Sequence, residues 1–325
     1  DATNASIDVP SKLVALSSTA DVLAAALAGT VREVSSGDKI TGNVTITDTP
    51  TEVELQTINN GTTASIQIPA ANQAFTASAS VLAEALTGTV TGPLAAALSG
   101  AVTVNNGAGT NVAATLLSTI AAGTGGTVTV SAAVNITGDT SEVIAALDTA
   151  GVLATTANIV LSDTPNVGDL QTLNGKTSGS IKISNGAITY SGSATVLAAA
   201  LDGTVTDGSG NPLSGAMTLT GNPNATQLQT INNATTGNVI IPNAGITLSG
   251  TPAVLVEALT GSVATSGSAK ISGKVTITGV GNPDAAQLKT INDAIDGAIV
   301  VPSKAVALSG TAAALVDALA GSVTE

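Results

Sequence analysis

The stretch ADVLAAALAGTV, Ala20 to Val31, decides how this chain is read, because it keeps returning. Later copies read SVLAEALTGTV, TVLAAALDGTV, AVLVEALTGSV and AALVDALAGSV. The first copy closes on Gly29, and the others on Gly88, Gly203, Gly261 and Gly321. These glycines step by about 58 to 60 residues, with one double step between Gly88 and Gly203. A degenerate copy, SEVIAALDTAGVL from Ser141 to Leu153, fills that gap. Periodicity in this range marks an array of supersecondary units. Val22, Leu23, Ala26 and Leu27 share one stripe at helical spacing, and the glycine is the expected left-handed C-cap. Asp21, Glu84, Glu257 and Asp317 fall off the stripe and read as a solvated face.

A second motif alternates with the first. It reads TEVELQTINNG (Thr51 to Gly61), NVGDLQTLNG (Asn166 to Gly175), ATQLQTINNATTG (Ala225 to Gly237) and AAQLKTINDAIDG (Ala285 to Gly297). VAATLLSTIAAGTGG (Val112 to Gly126) supplies the remaining copy, with Leu117 and Ile120 matching Leu55 and Ile58. We call these A helices and the Ala/Leu copies B helices. The order is one B helix, then five A–B pairs. Thr49-Pro50-Thr51-Glu52 predicts an N-cap, an N1 proline and a capping box. Thr164-Pro165, Asn222-Pro223, Thr251-Pro252 and Asn282-Pro283 repeat the cap-plus-proline pair. Asn59, Asn174, Asn232 and Asn292 fall where A helices end and are expected to satisfy backbone groups at that turn. Ala121 is the exception.

Short runs alternating apolar residues with Thr or Ser separate the helices, and period two reads as half-buried strand. Before A helices they cover 44–48, 101–105, 159–163, 217–221 and 275–279. Before B helices they cover 13–17, 74–78, 133–137, 187–191, 245–249 and 305–309. A further strand follows each helix. Each coil is therefore strand, helix, strand and turn, and strands joined by a helix are expected parallel with right-handed crossovers. The predicted fold class is an α/β repeat solenoid of about 11 β-α-β coils. It forms a single domain over 1–325: a half-repeat at 1–43, then double repeats near 44–100, 101–157, 158–215, 216–273 and 274–325. Stacked strands sit about 4.8 Å apart whereas packed helices need about 8 to 10 Å. The solenoid must therefore curve, or A and B helices must form separate rows. Strict alternation favours separate rows.

Composition excludes several functions. The 325 residues include nine Lys or Arg against 22 Asp or Glu, a net charge of −13. No segment offers the basic stripe that nucleic acid or an anionic membrane requires. No apolar run reaches the roughly 18 to 20 residues needed to span a bilayer. The chain has no Cys, no His and no Trp. Catalysis would fall to carboxylates, Lys or Ser, and the acids recur once per repeat on exposed positions. The expectation is no enzyme, no catalytic residue, no cofactor and no metal site. Asp207-Gly208-Ser209-Gly210-Asn211 spaces its oxygens like a calcium loop but lacks the distal Glu, so a Gly-rich turn is the better reading. Weak calcium binding by scattered acids stays open.

The outward strand positions form Thr/Ser columns: Thr45 and Thr47, Thr76 and Ser78, Thr189 and Ser191, Thr218 and Thr220, Thr247 and Ser249, Thr276 and Thr278. A Thr-x-Thr array resembles the ice-binding face of antifreeze proteins. The plainer account is that Thr suits a solvent-facing strand. Ala15, Val160, Ala307 and Asn135 interrupt the columns.

The two ends resemble one another: SIDVPSKLVALSSTADVLAAALAG against AIVVPSKAVALSGTAAALVDALAG. Neither shows the polar capping repeat that a soluble array normally carries. The opening at Asp1, without Met, predicts removal of a signal peptide or of a longer flanking chain. Uncapped ends predict continuation, either by more chain or by head-to-tail stacking of copies into a filament.

The alternation of DTPTEVELQTIN-type and VLAEALTGTV-type segments resembles the long repetitive surface proteins of marine bacteria, especially cyanobacteria. That resemblance implies a secreted or cell-surface structural polypeptide: an adhesin stalk, a surface-layer component or an extracellular fibre. The function expected is thus structural, with other copies of the chain as partners. The alternatives are an ice- or surface-binding protein and a segment of a large calcium-dependent adhesin.

Overall fold

The computed structural model describes residues 7–29, 31–34, 36–149, 151–279, 283–302, 308–321 and 323–324. Contacts divide the chain into two compact units, Asp1–Ile159 and Val160–Glu325. The fold is α/β. Among the described residues there are 11 α-helices and 23 strands, and every ladder between strands is parallel.

The first unit holds α1 (Ala20–Leu27), α2 (Glu52–Gly61), α3 (Ala79–Leu86), α4 (Ala114–Ala122) and α5 (Thr140–Asp148). The second holds α6 (Val167–Asn174), α7 (Ala194–Leu201), α8 (Ala225–Asn233), α9 (Pro252–Leu259), α10 (Ala285–Ala294) and α11 (Ala312–Ala318). Even numbers are the A helices and odd numbers the B helices, as the two motifs predict.

Each four-stranded sheet gathers strands of two neighbouring repeats in a fixed order. The strand before a B helix comes first, then the strand before the next A helix. The strand after that A helix follows, and the strand after the next B helix closes the sheet. In the first unit the order is Leu16–Ser18, Val44–Ile46, Ile66–Gln67, Val90–Thr91. It is repeated by Phe75–Ala77, Val102–Val104, Val128–Val130, Val152–Leu153. In the second unit it recurs as Tyr190–Gly192, Met217–Leu219, Val239–Ile241, Val263–Thr265. The last instance is Leu248–Gly250, Val275–Ile277, Ile299–Val300, Val323–Thr324.

That order answers the spacing problem in a way the sequence reading does not favour. Within each unit, consecutive helices pack on one another: α1 on α2, α2 on α3, α3 on α4, α4 on α5, and likewise α6 through α11. A and B helices therefore share one file and do not form separate rows. Two strands accompany each helix, which supplies about 9.6 Å of sheet per helix, close to the 8 to 10 Å that packed helices need.

The core lies between the helix file and the sheets. Each A helix buries an i, i+3 pair: Leu55 and Ile58, Leu117 and Ile120, Leu170 and Leu173, Leu228 and Ile231, Leu288 and Ile291. Each full burial of such a side chain is worth about 1.5 to 3 kcal/mol. Leu23, Leu82, Leu197 and Leu255 do the same for the B helices. The stripe expected in α1 is narrower than its spacing suggests. Ala20, Leu23 and Leu27 are buried, but Val22 is 52% exposed and Ala26 is exposed.

The helix starts also differ from expectation. The N-caps of the A helices lie after the prolines. Thr51 caps α2 and closes a capping box with Glu54; Asn224 and Gln227 do so in α8, and Asp284 and Gln287 in α10. Asn166 caps α6 without the box. Pro50, Pro165, Pro223 and Pro283 thus occupy N′ and are buried, each five residues before a buried N4 leucine: Leu55, Leu170, Leu228 and Leu288. This is hydrophobic-staple spacing. Only Thr251-Pro252 follows the expected cap-then-N1 pattern. Asn282 lies outside the described residues. At the other end, Gly88, Gly203 and Gly261 follow the B helices with φ of 85, 80 and 97°, the left-handed geometry the repeats predict.

Strands before A helices fall where expected. Of those before B helices, Phe75–Ala77 falls inside 74–78, while Leu16–Ser18 and Tyr190–Gly192 begin later than 13–17 and 187–191. The strand expected at 305–309 lies largely outside the described residues. Strands at Ile7–Val9 and Asn111–Ala113 carry no alternation strong enough to predict them.

Candidate functional site

Two features recur often enough to be candidates: the outward hydroxyl rows of the sheets and the polar contacts between helix ends.

The strands turn apolar residues toward the helices and Thr or Ser away from them. Thr47, Thr76, Thr189, Thr220, Thr247 and Thr278 are exposed. Thr45, Thr218 and Thr276 are half-buried, because they sit on inner strands flanked on both sides. Parallel register decides which of them line up. Ser17, Thr45, Gln67 and Thr91 form one row across a sheet. Thr76, Thr103, Thr129 and Leu153 form the next. Ser191, Thr218, Ile240 and Ala264 form a third, and Ser249, Thr276, Val300 and Thr324 a fourth. Thr189 and Thr247 precede their strands, and Thr47, Thr220 and Thr278 lie just beyond theirs. One member of each predicted pair therefore lies outside the ladder: Thr47, Ser78, Thr189, Thr220, Thr247 or Thr278. The longest uninterrupted hydroxyl run is Thr76, Thr103 and Thr129. Sequence reading missed its last two members, because they look like ordinary alternation until the register aligns them.

The polar contacts join α2, α6, α8 and α10 to the B helix after each; α4, with Ala121 at the asparagine position, is the exception. Asn59 Nδ2 donates to the carbonyl oxygens of Glu84 and Thr87, each at 2.6 Å. Asn174 Nδ2 donates to Ala199 O at 2.9 Å. Asn232 Nδ2 donates to Glu257 O at 2.8 Å and to Thr260 O. Asn292 Nδ2 donates to Asp317 O at 3.2 Å. The last carbonyls of a helix have no partner inside it. These asparagines supply one from the preceding coil, not at their own turn as expected. The N-termini of α1 and α3 are served from outside as well, whereas α5 is capped by its own Asp139. Ala20 N–H donates to Asp48 Oδ1 at 2.7 Å, and Ala79 N–H to Asn106 Oδ1 at 2.8 Å. The N-cap residues Thr19 and Ser78 make no side-chain cap of their own.

Glu84 and Glu257 are exposed, as the solvated-face reading has them, and they also carry a second layer of contacts. Glu84 Oε2 accepts from Gln56 Nε2 and Asn60 Nδ2, both at 2.8 Å. Glu257 Oε2 accepts from Gln229 Nε2 at 2.6 Å and Asn233 Nδ2 at 3.0 Å. The amides hold both carboxyls below the ordinary carboxylate range, Asn60 most strongly at Glu84 and Gln229 most strongly at Glu257. In the last pair the chemistry changes to ions: Lys289 Nζ lies 2.7 Å from Asp293 and 3.3 Å from Asp317. Where the B helix carries Ala199 in place of the acid, the A helix carries Gly175 in place of the second amide.

Open grooves of about 470, 370 and 390 Å³ recur where an A helix ends against the preceding B helix. In each a B-helix leucine and a small residue at the end of an A helix are part of the lining: Leu27 with Gly61, Leu201 with Ala234, Leu259 with Ala294. Their walls carry no convergent set of acid, base and nucleophile.

Among the described residues no group of three or more acidic side chains is placed to hold a metal ion. The Asp207 carboxylate is taken up by its own turn. Its Oδ1 accepts from Ser209 N–H at 2.9 Å and Asn211 N–H at 2.8 Å, and these bonds, that of Asn211 first, lower its pKa. Among the described residues no helix is long and apolar enough to cross a membrane. No family model and no curated protein matches the sequence.

Proposed function

We propose that this chain is a structural repeat segment of an extracellular or cell-surface filament, fibre or coat, read as a single α/β solenoid and lengthened through its end faces by stacking with other copies. The observation that supports this most is the dependence of each coil on its neighbours. B-helix carbonyls are satisfied by the asparagine of the coil before. In the first unit, N–H groups of α1 and α3 are satisfied by Asp48 and Asn106 of the coil after. Units that complete one another in this way suit indefinite continuation. Electron microscopy and sedimentation of the purified chain test the reading. Filaments, or mass rising with concentration, are expected. A monomer at every concentration and salt would end it.

A second reading is favoured by the Thr76, Thr103, Thr129 run: binding of ice or another ordered surface through hydroxyls about 4.8 Å apart. Thermal hysteresis in the parent chain, abolished by Thr103→Leu, is its expected signature. The calcium-adhesin reading has no comparable observation behind it.

A further inference from the structure

We infer that Asn106–Gly107 is a site of self-modification, at which the asparagine gives up its amide as ammonia and becomes aspartate or isoaspartate. The inference stands apart from the filament reading.

Four asparagines of the chain precede a glycine: Asn60, Asn106, Asn174 and Asn185. Glycine has no Cβ to hinder its own backbone nitrogen from reaching the side-chain carbonyl before it. Three of the four pairs are restrained. Asn60 and Asn174 hold their Nδ2 groups on Glu84 Oε2 at 2.8 Å and on Ala199 O at 2.9 Å. Their glycines are tied as well: Gly61 is the last residue of α2, and Gly175 N–H donates to Gln171 O at 3.1 Å. Beside Asn185, Gly186 packs so closely on Asp207 that a Cβ there would fall 2.6 Å from the aspartate Cβ. A carboxylate in that place opposes loss of the Gly186 N–H proton.

Asn106 differs at each atom that the reaction uses. It lies between the strands Val102–Val104 and Asn111–Ala113, half-buried, with Gly107 exposed. Among the described residues, neither its Nδ2 nor the Gly107 N–H has an acceptor. Its Oδ1 accepts from Ala79 N–H at 2.8 Å, in the first turn of α3. That donor, at the positive end of the helix, draws charge from the amide carbon and faces the oxygen on which negative charge develops.

The Gly107 nitrogen, its proton lost to hydroxide, attacks Asn106 Cγ. A C–N bond closes an imide ring, the Cγ–Nδ2 bond breaks, and Nδ2 leaves as ammonia with a proton from water. Water then opens the ring at either carbonyl, and nothing is oxidised or reduced. The fold already accepts a carboxylate in this seat: one double repeat earlier, Asp48 Oδ1 takes Ala20 N–H at 2.7 Å.

Peptide mapping by mass spectrometry of the full chain, held at mildly alkaline pH in heavy-oxygen water, tests the inference, because each conversion leaves a solvent oxygen in the peptide. Asn106 is expected to convert at least as fast in the folded chain as in denaturant. It is also expected to convert before Asn185, and about tenfold or more faster than Asn60 and Asn174, which react only on local opening. Ala79→Pro removes the activating N–H and suits the position, which Pro252 holds in α9. In that variant the Asn106 rate is expected to fall about tenfold or more. Slower conversion of Asn106 in the folded chain than in denaturant, or Asn185 converting first, overturns the inference. So does a folded Ala79→Pro chain that converts at the parent rate or faster. The comparison with denaturant decides the matter even where that variant does not fold.

Discussion

Asn232 illustrates what a single side chain does here. It spends its amide on two carbonyls of the helix after its own, and Asn232→Ala hands both to water. The expected cost is about 0.5 to 1.5 kcal/mol, seen as a lower midpoint in denaturant and faster amide exchange at the end of α9. Tyr190 predicts the opposite sign. Its ring fills the position that Phe75 fills in the first unit, but its hydroxyl is buried without a partner, and burial pushes its pKa up to about 12. Tyr190→Phe is expected to raise the melting temperature, by about 1 kcal/mol equivalent. Gly215 is fixed by close approach. A Cβ there would overlap the backbone carbonyl of Ile188 in the coil before, so Gly215→Ala is expected to cost about 1 to 3 kcal/mol or more. At this scale the sequence was partly legible. The asparagines announced themselves by recurrence, but not their targets, which lie 25 to 28 residues on and are brought near only by packing.

At the scale of elements, periodicity was enough to find all eleven helices and their two kinds. It misplaced the A-helix caps by two residues, because Thr-Pro reads equally well as cap-N1 or as N″-N′. The capping boxes with Glu54, Gln227 and Gln287 settle it. Strand register stayed hidden, since alternation fixes the face a residue occupies but not its neighbour on the next strand. The A–B contacts predict an acid-sensitive element. Glu84 and Glu257 have folded pKa values below the unfolded value of about 4.3. Their stabilisation is therefore complete above that value and is lost as pH falls through the lowered folded values. The double variant Glu84→Gln and Glu257→Gln is expected to lose stability at neutral pH and to show a flatter decline below pH 4.5, followed by circular dichroism across pH.

At the scale of the molecule, stability should accumulate coil by coil. In-frame removal of residues 217–274 joins Ala216 to Val275, whose strand has the same pattern and the same place in its sheet as Met217–Leu219. The shortened chain is expected to fold, with a lower melting temperature and a smaller denaturant slope, because both scale with the number of stacked units. A chain whose single core had been cut would lose cooperative unfolding altogether. The repeat made the alternation of helices and strands readable from the sequence. The outward surface is harder to read, since Thr is selected there both by strand geometry and by any surface it touches.

The asparagine contacts have a direction, and direction matters when a polypeptide is made one residue at a time. In the second unit the B helices cap their own N-termini through Ser193, Thr251 and Thr311, and they borrow only at the C-terminal end, from the A helix before. Each helix that leaves the ribosome thus meets a donor already in place. A nascent second unit can settle behind the exit tunnel without waiting for what has yet to be translated, whereas α1 and α3 of the first unit must wait for Asp48 and Asn106.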